Sequence, residues 1–277
     1  MTARHALAAF LKYLSLVLAS VAVVLPLLAV LLTSLRTSEE ASANRNPLAA
    51  PANWLNLDNF AIAFTDGKMA LALWNTTFIL VFALAGTVLI GSMTAYAVDR
   101  FRFRAKKLVM ALFLVATLVP SVTTQVATYQ VVSALGVNGT RWAPILLYTG
   151  TDIVAVYVFL QFMRSIPVAL DEAARIDGAG SLTIYWRIVL PLLRPAIATV
   201  VIVKGVAIYN DFYIPFLYMP SDKLGTISTA LFRFKGPYGA HWEVISAGTV
   251  LVILPTLIVF LALQRFIYSG LTTGAVK

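Results

Sequence analysis

The chain has 277 residues, 60% of them hydrophobic and 12% charged, with no cysteine and a formal net charge of +9. A mean hydropathy of +0.86 excludes an ordinary soluble domain, in which about a quarter of residues are charged. The lack of cysteine excludes a disulfide framework or a thiolate metal site, and only His5 and His241, far apart, could offer imidazole.

The apolar runs predict an all-α membrane protein with six transmembrane helices. Arg4 and Lys12 precede an apolar run from Tyr13 to Leu35. That run is too long for the apolar core of a cleavable leader and reads as a first span, so residues 1–35 form an N-terminus and one crossing. Pro26 lies inside it, where neighbouring helices can satisfy the freed carbonyl. Residues 36–69 are polar and rich in Asn, Pro and Ala, an extracytoplasmic loop with room for a short surface helix over Asp58–Thr65.

Residues 70–277 then hold five more spans. The second, Ala70–Val98, is uncharged and ends in the run Asp99 to Lys107, which carries five basic residues within eight positions. The third, Leu108–Ala134, contains Pro120, Gln125, Tyr129 and Gln130. The fourth, Pro144–Met163, contains Asp152. A polar stretch, 164–191, separates it from the fifth span, Leu192–Met219, which is interrupted by Lys204, Asn210 and Asp211. An outer loop Pro220–Glu243, a sixth span Val244–Leu263 and a tail 264–277 complete the chain.

Six spans put both termini on one side, the side of the 164–191 stretch. About thirteen Lys and Arg lie on that side, about seven on the other, and Lys204 lies within a span. The positive-inside rule makes the side with the excess cytoplasmic. The basic excess is thus a matter of topology rather than of nucleic-acid binding.

The 164–191 stretch is the most informative part of the chain. Pro167 suits the first turn of a helix. Asp171 and Glu172 toward its start and Arg175 toward its end complement the macrodipole. Ala169, Ala173 and Ile176 share one face, and Gly178 can take the left-handed conformation that stops a helix. Ser181 is placed to cap a second short helix through Ile188, before Pro191 opens the next span. This predicts an amphipathic surface helix that offers small residues and a few charges to something in the water.

Glu172-Ala173-Ala174, Asp177-Gly178-Ala179 and Ile188-Val189-Leu190-Pro191 resemble the EAA loop of ABC importer permeases. The resemblance implies a coupling helix that docks into a cleft of a cytoplasmic ATPase, through Leu170, Glu172, Ala173, Ala174, Asp177, Gly178, Ala179, Leu190 and Pro191. The segment from Tyr96 to Phe103 is also similar to that family's run after the second span. Tyr209-Asn210-Asp211-Phe212 resembles the W-N-[DE]-F segment of sugar-importer permeases, with Tyr209 in place of Trp. The tail Gln264 to Lys277 is similar to that of maltose-type permeases, in particular the smaller of the two partners. That resemblance implies that Ser269, Gly270, Thr272 and Lys277 reach the ATPase.

For the family as a whole it implies a heterodimer with a second permease subunit, two ABC ATPase subunits, an extracytoplasmic solute-binding protein, and a mono- or oligosaccharide substrate. It also implies a multi-pass protein of the cytoplasmic (inner) membrane. ATP and Mg would sit on the partner ATPase, because no G-x-x-x-x-G-K-[ST] sequence occurs here. This chain is expected to be a non-catalytic transport subunit with no cofactor or metal of its own.

The path of the solute is less defined. Lys204 and Asp211, seven residues apart, are expected on one helix face, with Lys204 about 18 Å into its span. A lysine at that depth is costly against lipid and should face a bundle interior or an aqueous path. Two readings stand for this pair: a sugar-lined path or gate, and a structural pairing. With Lys204, Tyr209, Asn210, Asp211, Gln130 and Asn75 as path candidates, Trp74 and Tyr148 fit either the path or an interfacial aromatic belt. An ion-coupled secondary transporter using Asp152 and Asp211, or an ABC permease for a non-sugar solute, are the alternative functions.

Overall fold

The structure is a computed structural model and describes residues 3–120, 122–150, 152–236 and 239–275. It is predominantly helical. The helices are α1 Ala3–Ser34, α2 Ser38–Ala43, α3 Asp58–Thr65, α4 Met69–Arg100, α5 Lys106–Leu118, α6 Gln125–Ala134, α7 Trp142–Thr149 and α8 Ile153–Met163. They continue as α9 Ala169–Ile176, α10 Ser181–Ile184, α11 Leu190–Leu192, α12 Arg194–Asn210, α13 Tyr213–Tyr218, α14 Ile227–Ala230 and α15 Trp242–Ala275. Two-residue strands, β1 Lys235–Gly236 and β2 Gly239–Ala240, pair antiparallel.

Among the described residues, two helices are long and apolar enough to cross a membrane, residues Ala9–Ser34 and Met69–Arg100, and up to four segments are if each bent pair counts as one. Three of the expected spans are interrupted. The third is split into α5 and α6 after Val119-Pro120. The fourth is split into α7 and α8 at Gly150–Asp152, and the fifth into α12 and α13 at Asp211-Phe212. Each break has a local cause. Pro120 lacks an N–H and bars the residue before it from the helical region. Asp152 accepts the Ala155 N–H at 3.1 Å and so starts a new helix. Asp211 accepts the Tyr213 and Ile214 N–H groups at 2.8 and 3.3 Å and does the same.

The chain divides into two compact units. The first comprises Met1–Ala70 with Ala230–Val259. Its apolar centre is Ala63, Val244 and Ala247, with Phe60, Phe234 and Leu251 packed around them. The C-terminus of α1 leaves carbonyls that need donors. Asn59 Nδ2 donates to the Ser34 and Arg36 carbonyls at 2.8 and 2.7 Å. Arg36, 3% exposed, donates to the carbonyls of Glu40, Asn44 and Asn46. The surface helix expected over Asp58–Thr65 forms with those bounds, although Asn59 and Ala63 are buried.

The second unit comprises Leu71–Thr229 with Phe260–Lys277. Its main core gathers Tyr96, Phe159, Met163, Tyr185, Val189 and Leu193 from α4, α8 and the polar stretch. A second cluster joins Ile79, Ala83, Ile145 and Ile208. Gly86 allows α4 and α7 to approach closely, since a Cβ there would lie 2.6 Å from Thr149 Oγ1.

Candidate functional site

The 164–191 stretch forms three short pieces. Pro167 sits one residue before the cap of α9, so the helix starts just after it rather than on it. The face of α9 bearing Ala169, Ala173 and Ile176 is exposed, Ile176 at 87%, and Leu170, Glu172, Asp177 and Gly178 are exposed beside it. The opposite side is buried, through Asp171 and Ala174. The apolar i, i+4, i+7 face therefore points to water, and an acid points to the core.

The helix ends in a Schellman motif. The Ala179 N–H donates to the Ala174 carbonyl at 2.9 Å and the Gly178 N–H to the Arg175 carbonyl at 3.0 Å. Gly178 has φ +84°, as that motif requires. Ala174 belongs to the main core, and Ala179 packs against it.

Beyond the glycine the expected cap is displaced. Gly180, not Ser181, occupies the N-cap, and no side chain caps α10. One π turn follows at Tyr185–Val189, before α11. Pro191 explains it: proline supplies no N–H and its ring crowds the carbonyl of the preceding turn, and a widened turn relieves both. Residues Ser181–Leu192 then bend by 71° into α12 at fully buried Leu193. Leu190 is half-buried and Pro191 exposed.

Residues of α4 hold this stretch at three heights. The hydroxyls of Ser92 and Tyr185 are 2.8 Å apart, and Ser92 also donates to the Val88 carbonyl at 2.5 Å, which leaves Tyr185 as the donor between them. Tyr96 Oη donates to the Ser181 carbonyl at 3.2 Å, with its ring 5.5 Å from that of Tyr185. Arg100 Nη2 donates to the Ile166 carbonyl at 2.8 Å and Nη1 to Asp99 at 2.6 Å. Arg100 Nε lies 3.0 Å from Asp171 Oδ2, the side chains being 4% and 1% exposed. That approach is not aligned as a hydrogen bond, and among the described residues neither Asp171 oxygen accepts one. The pair is held by charge at close range.

The expected pairing of Lys204 with Asp211 is not the one that forms. Helix α12 ends at Asn210, so Asp211 is no longer on its face. Lys204 Nζ pairs instead with Asp152 Oδ2, the side chains being 29% and 6% exposed. The Asp211 carboxylate accepts the Tyr148 hydroxyl at 2.9 Å, and its backbone carbonyl accepts Ser228 Oγ at 2.6 Å. Tyr148 thus turns inward rather than joining an aromatic belt.

Asn75 is fully buried. Its Nδ2 donates to the Lys223 and Gly225 carbonyls at 3.1 and 2.9 Å, and its Oδ1 accepts from Arg141 Nε at 2.7 Å. Its amide is thus spent within the fold. Asn210 is exposed and donates to the Val206 carbonyl at 2.9 Å, Tyr209 is half-buried, and Gln130 is exposed on α6. Of the tail residues, Ser269, Gly270 and Thr272 lie on the continuous helix α15, and Lys277 lies outside the described residues.

The sequence reasoning missed the Arg100–Asp171 and Lys204–Asp152 pairs, which join positions about seventy and fifty residues apart. It also missed a polar cluster in which Gln125 Nε2 donates to Tyr218 Oη at 3.2 Å and Asn138 Nδ2 to Tyr129 Oη at 2.9 Å. Within the first unit, a cavity of about 1110 Å³ is lined by Arg36, Arg45, Trp242 and Glu243 among others.

Comparisons with known proteins agree on one family. The family described as "Binding-protein-dependent transport system inner membrane component" matches residues 87–273. The melibiose/raffinose/stachyose import permease protein MelC of Bacillus subtilis is 32% identical over 255 residues, 91% of each chain. The arabinooligosaccharides transport system permease protein AraQ of Halalkalibacterium halodurans is 32% identical over 92% of this chain and 91% of its own. A crystal structure of a bacterial ABC transporter involved in the import of the acidic polysaccharide alginate superposes with a TM-score of 0.82, over 96% of this chain and 98% of that one, at 18% identity, which shows the fold. The chain belongs to this family of binding-protein-dependent permeases: it is a permease of an ABC importer, of the maltose-type carbohydrate-uptake group.

Proposed function

We propose that this chain is the smaller of two different permease subunits in an importer for a mono- or oligosaccharide. An extracytoplasmic binding protein would deliver the sugar, and two ATPases that bind ATP and Mg would drive uptake. The observation that carries the coupling role is the exposed face of α9, ended by the left-handed Gly178. A small helix that shows Ala169, Ala173 and Ile176 to water, with Glu172 and Asp177 beside them, has the form of a plug for a protein cleft rather than of a folded core. Ala174 and Ala179 would act from behind, by setting the helix's height on the core, and Leu190 and Pro191 by shaping the π turn and the bend into α12. The sugar assignment leans on relatives whose names specify oligosaccharides.

The six crossings are α1, α4, α5 with α6, α7 with α8, α12 with α13, and α15, with both termini cytoplasmic. Residues 36–69 then lie outside and 70–277 form the permease core. Helix α15 has 34 residues, about 50 Å at 1.5 Å per residue, against a hydrocarbon core of about 30 Å. Its last turns, which carry Ser269, Gly270 and Thr272, would therefore project past the bilayer toward the ATPase; Lys277, the fourth expected tail contact, lies outside the described residues.

Transport would proceed by alternating access. Closure of the ATPase pair would push α9, and the packed core behind it would reorient the spans. Lys204, Tyr209, Asn210, Asp211 and Gln130 border the path in this reading, with Asn75 supporting it from behind.

The test is purification of the tagged chain from native membranes, identification of what accompanies it, and reconstitution in vesicles. Recovery with an ATPase and a second permease, and ATP-dependent uptake of a sugar bound by the co-encoded binding protein, are the expected results. Recovery alone, with uptake driven by an ion gradient, would overturn the proposal.

A further inference from the structure

Ser92, Tyr96 and Arg100 are spaced by four along α4 and so lie on one stripe of that helix. All three meet the 164–191 stretch: at Tyr185, at Ser181, and at Ile166 and Asp171. We propose that this stripe is the connection that makes the second span move as one body with the coupling segment, with Arg100–Asp171 as its positioning pair. The proposal rests on the coupling reading of α9.

Relative motion of α4 and the coupling segment would break a buried ion pair. Helix α9 has only eight residues and is far too short to be stable alone, so contacts behind it set its position. Those contacts are Ala174, which only packs, and Asp171, which is charged. If α9 slid along α4, Asp171 would be left buried and unpaired, a strongly unfavourable state because neither of its oxygens has another partner among the described residues. One such contact would still permit rotation about it. Three contacts, spread over about 12 Å of α4, resist both sliding and rotation. The Tyr96–Tyr185 ring contact, 5.5 Å between centroids, closes the gap between the upper two.

The chain has no cysteine, so spin labels can be placed cleanly at Ile90→Cys on α4 and at exposed Arg175→Cys on α9. The distance between them is measured by pulsed electron resonance in the complex purified with its ATPases, with and without Mg and a non-hydrolysable ATP analogue. The expected result is a narrow distance that nucleotide does not change. In R100M/D171N, which removes both charges and so leaves neither unpaired, that single distance is lost. R100K, which keeps a cation beside Asp171, retains a single distance, a rescue that the loss of packing alone would not allow. S92A/Y96F, which keeps both tyrosine rings, serves as the variant least able to unfold the protein, and broadens the distance further when combined with R100M/D171N. A narrow distance in R100M/D171N, or a nucleotide-induced change in the parent protein, overturns the proposal. Failure of the parent chain to bring an ATPase with it overturns the coupling reading itself, and the proposal with it.

Discussion

Gly178 offers a way to separate backbone conformation from steric fit at the coupling helix. Its φ is +84°, and a Cβ built there meets nothing within 4 Å in this chain. A substitution therefore costs strain and no internal clash. For an ordinary L-residue that strain is about 1–2 kcal/mol, and Asn bears the left-handed conformation with less. The free loop can shed the strain by fraying its last turn, but a helix seated in an ATPase cleft cannot. Binding then loses the difference, roughly five- to thirtyfold for Gly178→Ala if all the strain is paid on docking. The assay is titration of purified ATPase onto the permease pair in nanodiscs. The expected order of affinity is Gly, then Asn, then Ala, with a β-branched residue last. Asn is larger than Ala, so if the cleft instead demands the absence of a side chain, Ala binds better than Asn. That reversed order would refute the conformational argument. Gly178→Asp is a poor probe by comparison, because Asp also tolerates positive φ and adds a charge.

Other side chains carry further expectations. Removing Lys204 or Asp152 alone strands a charge, worth about 3–5 kcal/mol for a fully buried pair and less here because Lys204 is 29% exposed; K204M/D152N should melt higher in detergent than either single variant, and a lower melting point would rule out the structural pairing. Asn75→Ala leaves the Lys223 and Gly225 carbonyls and the Arg141 Nε without their partner, at about 1–3 kcal/mol for each group left buried; a transport defect with unchanged melting would return Asn75 to the path. Glu40 is held below the ordinary carboxylate pKa by N–H donors from Thr37 first and Ala52 second. A lowered folded pKa means that its contribution is complete above the ordinary value and is lost as pH falls through the lowered one. Protection of the amides across residues 37–52, taken relative to the intrinsic exchange rate at each pH, should therefore fall on acidification below about pH 4.5, and in Glu40→Gln that loss of protection should disappear.

Much of the fold is legible locally. The bounds of α3, the length of α4 and the glycine stop after α9 all follow from capping, apolar length and backbone freedom, which are properties of neighbouring residues. The interruptions were also written locally and were still misread. Gly150 with Asp152, and Asp211 followed by Pro215, are helix-start signals of the kind used in soluble proteins. Inside a long apolar run Asp152 reads as a polar residue within a span, and Asp211 as one of three polar interruptions, rather than as helix starts. What no local pattern holds is which charge meets which. Nothing in the period or spacing ties position 152 to 204, or 100 to 171, because those partnerships are decided by helix packing. The exposed side of α9 was legible as a face, but its buried acid was not, since an acid in the first turn already has an explanation in the helix dipole.

In the proposed topology Asp152 and Asp211 lie within the bilayer, and they show why polarity within a span is a weak guide to a transport path. With no water to satisfy them, the first N–H groups of a helix that begins inside the bilayer need an acceptor from the chain itself. Asp152 supplies one for α8, and Asp211 supplies one for α13. Each acid then needs something for its remaining oxygen, which Lys204 provides in one case and Tyr148 in the other. Lys204 is accounted for in the same terms: it follows from the break at Asp152, and the break is what first calls for a charge. A sugar that contacts this region would meet groups already committed to architecture. Discrimination among sugars would then fall to side chains with spare donors and acceptors, such as exposed Gln130 and Asn210. Exchanging Gln130 or Asn210 for Ala should therefore change which sugars compete for uptake while leaving melting unchanged. The same exchange at Asp152 or Asp211 should lower melting first, and a shift in sugar competition from either acid without that loss would contradict the argument.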